Sequence, residues 1–115
     1  MSNPQQTIER MEQLTQAQYR GNIQLKTLGI EKSSTERIYR MELAKKILQL
    51  RFEKYPATLI HDIARGDKTI SELRLKRDIA KIDYEVCKSS MKVIDSDIDI
   101  NRSILTWQRA EFKNS

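Results

Sequence analysis

Apolar side chains recur along this chain at steps of three and four, the mark of residues sharing one face of an α-helix. Ile8, Met11, Leu14, Ala17 and Gly21 keep that step through the first segment. Pro4 suits its start, because a proline at the first helical position lacks only an N–H that has no partner there anyway. Gly29 suits its stop, so a first helix is expected over about 4–28. Ile38, Met41, Ala44, Leu48 and Phe52 mark a second face, with Ile47 beside it. Ser33 and Glu36 stand three apart, as a capping box requires, and Pro56 forbids helix through Tyr55. A second helix is expected over about 35–54.

A short third helix, about 57–65, ends at a Gly66–Asp67 turn, and Thr69 with Glu72 offers another capping box. From there to Phe112 the chain has neither glycine nor proline. That predicts one helix over about 70–112, roughly 65 Å long at 1.5 Å per residue. It carries two apolar stripes side by side. Leu75, Ile79, Ile82, Val86, Val93, Ile100, Ile104 and Trp107 form one; Leu73, Ala80, Tyr84, Cys87, Met91, Ile94, Ile98 and Leu105 form the other. A face that wide suits more than one neighbouring helix. Within Val93–Ile100, Ile98 and Ile100 alternate with acids as in a strand, but the flanks are helical and no turn residue brackets the stretch. The expected fold is all-α: an elongated antiparallel helical hairpin or bundle with a long, coiled-coil-like C-terminal helix.

Composition narrows this further. The chain has 115 residues, three glycines and two prolines, enough for one domain and too few turn residues for a sheet protein. No run of about 18 apolar residues is present. MSNPQQTIERM lacks the basic-then-apolar build of a secretory leader. The single cysteine, Cys87, has no internal partner, which fits a reducing, cytoplasmic setting. A core this thin for so long a helix predicts a homo-oligomer.

The net charge is +5, and the segment 31–55 alone contributes +3, from seven cations and four acids. Arg37, Arg40, Lys45, Lys46, Arg51 and Lys54 lie there, and Arg74 and Arg77 follow in ISELRLKRDIAK. These eight are the candidate nucleic-acid contacts, with Tyr39 and Tyr55 placed to stack on bases if exposed. Acids interleave with the later cations at helical pairing distance, Glu72 with Lys76, Asp78 with Lys81, Glu85 with Lys88, which favours a solvated face over a phosphate grip. TLIHDIARGDKTISELRLKRD also has the outline of a helix-turn-helix, but its second helix runs on too far.

Catalytic chemistry finds little support. His61, the only histidine, stands beside Asp62 without a nucleophile nearby and reads as a partly buried structural residue. Cys87 reads as a small core residue. Asp95, Asp97 and Asp99 resemble the start of a calcium loop but lack its glycine and its closing glutamate. No enzyme, no metal and no cofactor is expected. The candidate protein contacts are Tyr39, Leu43, Leu50, Tyr55 and Trp107, apolar residues of the kind that anchor helical partners.

The segment KYPATLIHDIARGDKTISELRLKRDIAKIDYEVCKSS, with YPATLIHDIARGDK and ILTWQR at its heart, resembles the small uncharacterised helical early-region proteins of phages and prophages of Gram-positive bacteria. The likeness covers about residues 36 to 109. It implies a non-enzymatic accessory protein in the host cytoplasm, engaged in replication, recombination or counter-defence. It carries no site residues across.

Overall fold

The structure is a computed structural model and describes residues 3–114. It contains three α-helices, α1 (Pro4–Phe52), α2 (Ala57–Gly66) and α3 (Lys68–Asn114), and no strand among the described residues. Its contacts divide the chain into two compact units. The first takes the residues to Lys26 and those from Val86; the second takes Thr27–Glu85.

Each boundary has a local cause. α1 opens on Pro4, and the Asn3 side chain accepts a hydrogen bond from the Gln6 N–H at 3.0 Å, so one otherwise unpaired donor is satisfied. It closes with a left-handed residue, Lys54 at φ 65°. Tyr55 N–H donates to Leu50 O at 3.1 Å and Lys54 N–H to Arg51 O at 3.0 Å, the paired bonds of a Schellman stop. Pro56 then opens α2. Asp67 serves two helices: its N–H donates to Ala64 O at the end of α2, and its Oδ2 accepts from Ile70 N–H at 3.2 Å at the start of α3.

Three expected boundaries are corrected. Helix does not stop at Gly29, because no glycine here adopts a positive φ; Gly29 lies inside α1 instead. Ser33 and Glu36 therefore form no cap, and Glu36 receives Arg40 Nε at 2.6 Å. At α3 the capping carboxylate belongs to Asp67, not to Thr69 with Glu72. Val93–Ile100 is helical throughout.

In the first unit α1 and α3 run antiparallel. Thr7 Oγ1 donates to Gln108 Oε1 at 2.8 Å, Gln18 Nε2 to Asp95 Oδ1 at 2.7 Å, and Cys87 lies against Gly21 O. Partners thus descend α3 as α1 ascends. The seam is built from Thr7, Met11, Leu14, Gln18 and Gly21 on α1, and from Cys87, Met91, Ile94, Ile98, Asn101, Leu105 and Gln108 on α3, all buried or half-buried. At Gly21 the thioether of Met91 lies close against α1, where a Cβ would meet its Sδ and Cε.

The second unit has the same sense. Leu28, Lys32, Thr35, Tyr39, Leu43, Lys46 and Leu50 of α1 turn inward, against Ile70, Leu73, Arg77, Ala80 and Tyr84 of α3. α2 closes one end, where Leu50, Ile60 and Ala64 form a buried cluster flanked by Leu43, Ile47 and Ile63. Gly29 admits the Tyr84 ring edge at 3.4 Å from where a Cβ would stand. No buried side-chain nitrogen or oxygen lacks a partner among the described residues, which is what polar residues in a seam require.

Candidate interaction surfaces

The cations of the second unit divide by partner. Arg77 is the most engaged. Its Nη2 meets Asp78 Oδ1 at 2.9 Å, its Nε meets Glu36 Oε2 at 3.4 Å, and its guanidinium lies 4.4 Å from the centroid of the Tyr39 ring. Partial burial pulls its pKa down, but the hydrogen bond and charge of Asp78, with Glu36 and Tyr39 behind them, outweigh that and hold it above the ordinary arginine value. Arg77 is therefore a fixed cation that joins α3 to α1.

Lys46 Nζ reaches Asp67 Oδ1 at 3.4 Å, Arg40 is bound by Glu36, and Lys45 by Glu42 at 3.3 Å. Asp67 is held below its ordinary value of 3.8 chiefly by the backbone N–H of Ile70, with Lys46 adding to it against a desolvation cost. Lys32 lies 4.5 Å from the Tyr84 ring centroid and 3.8 Å from Glu85. Arg37, Arg51, Lys54 and Arg74 are exposed and form no ion pair with a described residue.

A cleft of about 310 Å³ in this unit is lined by Lys32, Ser33, Glu36, Arg77 and Lys81. Two of its three cations are already bound by carboxylates, so it offers an anion little beyond Lys81. The acids among the later cations do not pair along the helix at the expected spacing: Asp78 takes Arg77, and Glu85 takes Lys32 across to α1. Arg74, Lys76 and Lys81 face solvent.

Of the five candidate protein contacts, three are spent inside. Tyr39 is 5% exposed, Leu50 is 3% exposed, and Leu43 packs against the Leu50–Ile60–Ala64 cluster. That corrects their reading as outward contacts, and it removes Tyr39 as a base-stacking ring. Tyr55 and Trp107 are exposed, at 45% and 59%. His61 is exposed rather than partly buried. Cys87 is half-buried in the first-unit seam. Asp95 and Asp99 are occupied by Gln18 and Arg102, and the described residues contain no metal-binding cluster.

The apolar surface lies where the pattern places a core. On α1 in the second unit, Ile38, Met41, Leu48 and Phe52 are all exposed, Phe52 at 88%. They follow the inward residues Glu36, Tyr39, Lys46 and Leu50 by two positions, about 200° around the helix, and so point away from α3. On α3 in the same unit Leu75, Ile79 and Ile82 are exposed; in the first unit Val86, Val93, Ile100, Ile104 and Trp107 are. Of the two α3 stripes, the one through Met91, Ile98 and Leu105 packs and the one through Val86, Val93, Ile100 and Trp107 stays exposed. No helix is long and apolar enough to cross a membrane among the described residues. No family model, curated protein or solved structure matches the chain.

Proposed function

We propose that this chain is a non-enzymatic, phage-type accessory protein that acts by protein–protein contact through its helical surface, with a host or defence factor as partner. One observation carries this reading. The outward stripe of α1 in the second unit, Ile38, Met41, Leu48 and Phe52, stays exposed while the opposite side of the same helix is packed. Apolar side chains at helical spacing are what a partner helix or groove takes up, and Tyr55 extends the surface past the helix end.

The test compares the tagged full chain with Leu48→Glu/Phe52→Glu in capture from a Gram-positive bacterial lysate, read by quantitative mass spectrometry. Helix content by circular dichroism shows whether the variant remains folded. The expected result is a small set of proteins retained by the parent chain, displaced by untagged parent, and lost with the variant. Equal retention by both chains, or none by either, refutes the reading.

A second reading, a nucleic-acid-binding accessory in phage replication or recombination, draws on Arg37, Arg51, Lys54 and Arg74, which no described carboxylate pairs. Binding of that kind falls steeply as salt rises. Fluorescence anisotropy with single- and double-stranded DNA at low salt decides it; a flat titration removes it.

A further inference from the structure

We propose that the outward stripe of α3 in the first unit is an interface with a second copy of this chain, the two α3 segments running antiparallel. This goes beyond the interaction reading, with a different face and a different partner.

The stripe has a regularity that the α1 stripe lacks. Val86, Val93, Ile100 and Trp107 recur at every seventh position, all more than half exposed. Three residues after the first three of them stand Ser89, Ser96 and Ser103, also exposed. A bulky seam and a small seam therefore alternate along one side of the helix. The Met91, Ile98 and Leu105 stripe, which packs on α1, lies about 150° around it. A strict seven-residue repeat is the pattern that keeps a seam facing one long neighbouring helix.

The alternation selects the direction. In an antiparallel pair each layer sets the bulky position of one helix against the small position of the other. Val93 then meets Ser96 of the second copy, Ile100 meets Ser89, and Val86 meets Ser103. Large faces small in these three pairings, as close interdigitation requires. A parallel pair instead stacks valine on valine and serine on serine, leaving alternate layers unfilled.

Charge selects the register. In the alignment just given, Lys92 flanks the seam beside Asp99 of the second copy, and the two-fold repeats that pair. Within the chain Lys92 has no ion pair with a described residue, and Asp99 meets only the exposed Arg102, at 3.2 Å. Slipping one copy by seven residues sets Asp99 against Asp99 and Asp97 against Asp97, a like-charge clash on both flanks.

The experiment uses the full chain, with Cys87→Ser as background. Sedimentation velocity over a concentration series is expected to show a dimer. An equimolar mixture of Val93→Cys and Ser96→Cys chains, oxidised by glutathione disulfide, is expected to cross-link, and each variant alone far less. Lys92→Glu is expected to weaken the dimer about tenfold in Kd, an opposed charge flanking an interface, and Lys92→Glu/Asp99→Lys to restore it. A monomer at all concentrations, self-cross-linking of Val93→Cys alone, or no restoration by the double exchange overturns the proposal. A monomer whose lysate partners still depend on Leu48 and Phe52 overturns this pairing and leaves the interaction reading standing. A dimer whose lysate partners ignore those residues does the reverse.

Discussion

Replacing each glycine by alanine separates backbone propensity from packing, because the three sites differ only in what a methyl group meets. None of the three has a positive φ, so alanine fits the backbone at all of them. In a helix interior the exchange stabilises by about 0.5–1 kcal/mol, through reduced freedom of the unfolded chain. At Gly66, the last residue of α2, nothing lies within 4 Å of the new Cβ, and at Gly29 the nearest atom, Tyr84 Cε2, lies at 3.4 Å. Both variants keep their gain, the one at Gly66 in smaller measure because it sits at a helix end. Gly21 differs. Its Cβ falls 2.2 Å from Met91 Sδ and 3.1 Å from Met91 Cε, and Met91 is only 7% exposed. The thioether has to leave its place, and overpacking of this kind costs about 1–3 kcal/mol. The balance for Gly21→Ala is a loss of about 1 kcal/mol. Thermal unfolding followed by circular dichroism, at one fixed protein concentration, reads this as a fall of about 4 °C in Tm, against a rise of similar size for Gly29→Ala. Met91→Ala in the Gly21→Ala background should cost less than Met91→Ala alone, giving a coupling of about 1 kcal/mol. A Gly21→Ala variant as stable as Gly29→Ala would refute the close approach of α1 to Met91.

Four further outcomes follow from other contacts. Lys54→Gly relieves a left-handed residue that only glycine adopts without strain, so the variant should gain about 1 kcal/mol in urea unfolding. Tyr39→Ala empties a buried site and strips Arg77 of its ring, at a cost of about 3 kcal/mol, whereas Tyr39→Phe keeps ring and packing and should change Cm little. Thr7→Val removes the hydrogen bond to Gln108 from the first-unit seam and should cost about 1 kcal/mol. Asp67 has a folded pKa below its ordinary 3.8, so its contribution is complete above that value and is lost as pH falls through the folded one. An acid titration of stability should accordingly be shallower for Asp67→Asn than for the parent chain.

Helix positions were legible where the chemistry is local. Pro4, Pro56 and the run without glycine after Asp67 act through their own backbones, and the structure places α1, α2 and α3 accordingly. Gly29 was misread because a glycine at a helix stop and a glycine at a close approach look alike in sequence; Tyr84, 55 residues away in the chain, decides between them. Spacing alone does not decide which stripe of α3 packs. Both keep helical spacing, and the outer one is the more uniformly apolar. The packed seam draws in Thr7 and Gln18 of α1 and Arg77, Asn101 and Gln108 of α3, which read as solvent-facing until their partners are known. Gln108, Asp95 and Glu36 supply those partners for Thr7, Gln18 and Arg77. Tyr39 and Leu50 read as contact residues for the same reason, since nothing local distinguishes an aromatic that receives an arginine from one that awaits a partner.

The polar members of the inner seam also bear on what the outer stripes do. Thr7 with Gln108, Arg77 with Glu36 and Lys46 with Asp67 each tie one position of α1 to one position of α2–α3, so a slip of α3 along α1 by a turn breaks them. They set register and contribute little apolar burial. No large side chain is fully buried among the described residues. Outer residues such as Leu48, Val93 and Ile100 add nothing to that interior, because they face away from it. Their apolar surface becomes stabilising only when something covers it, at about 25 cal/mol per Å². A partner that covers these stripes would therefore raise the stability of the helices beneath them by mass action.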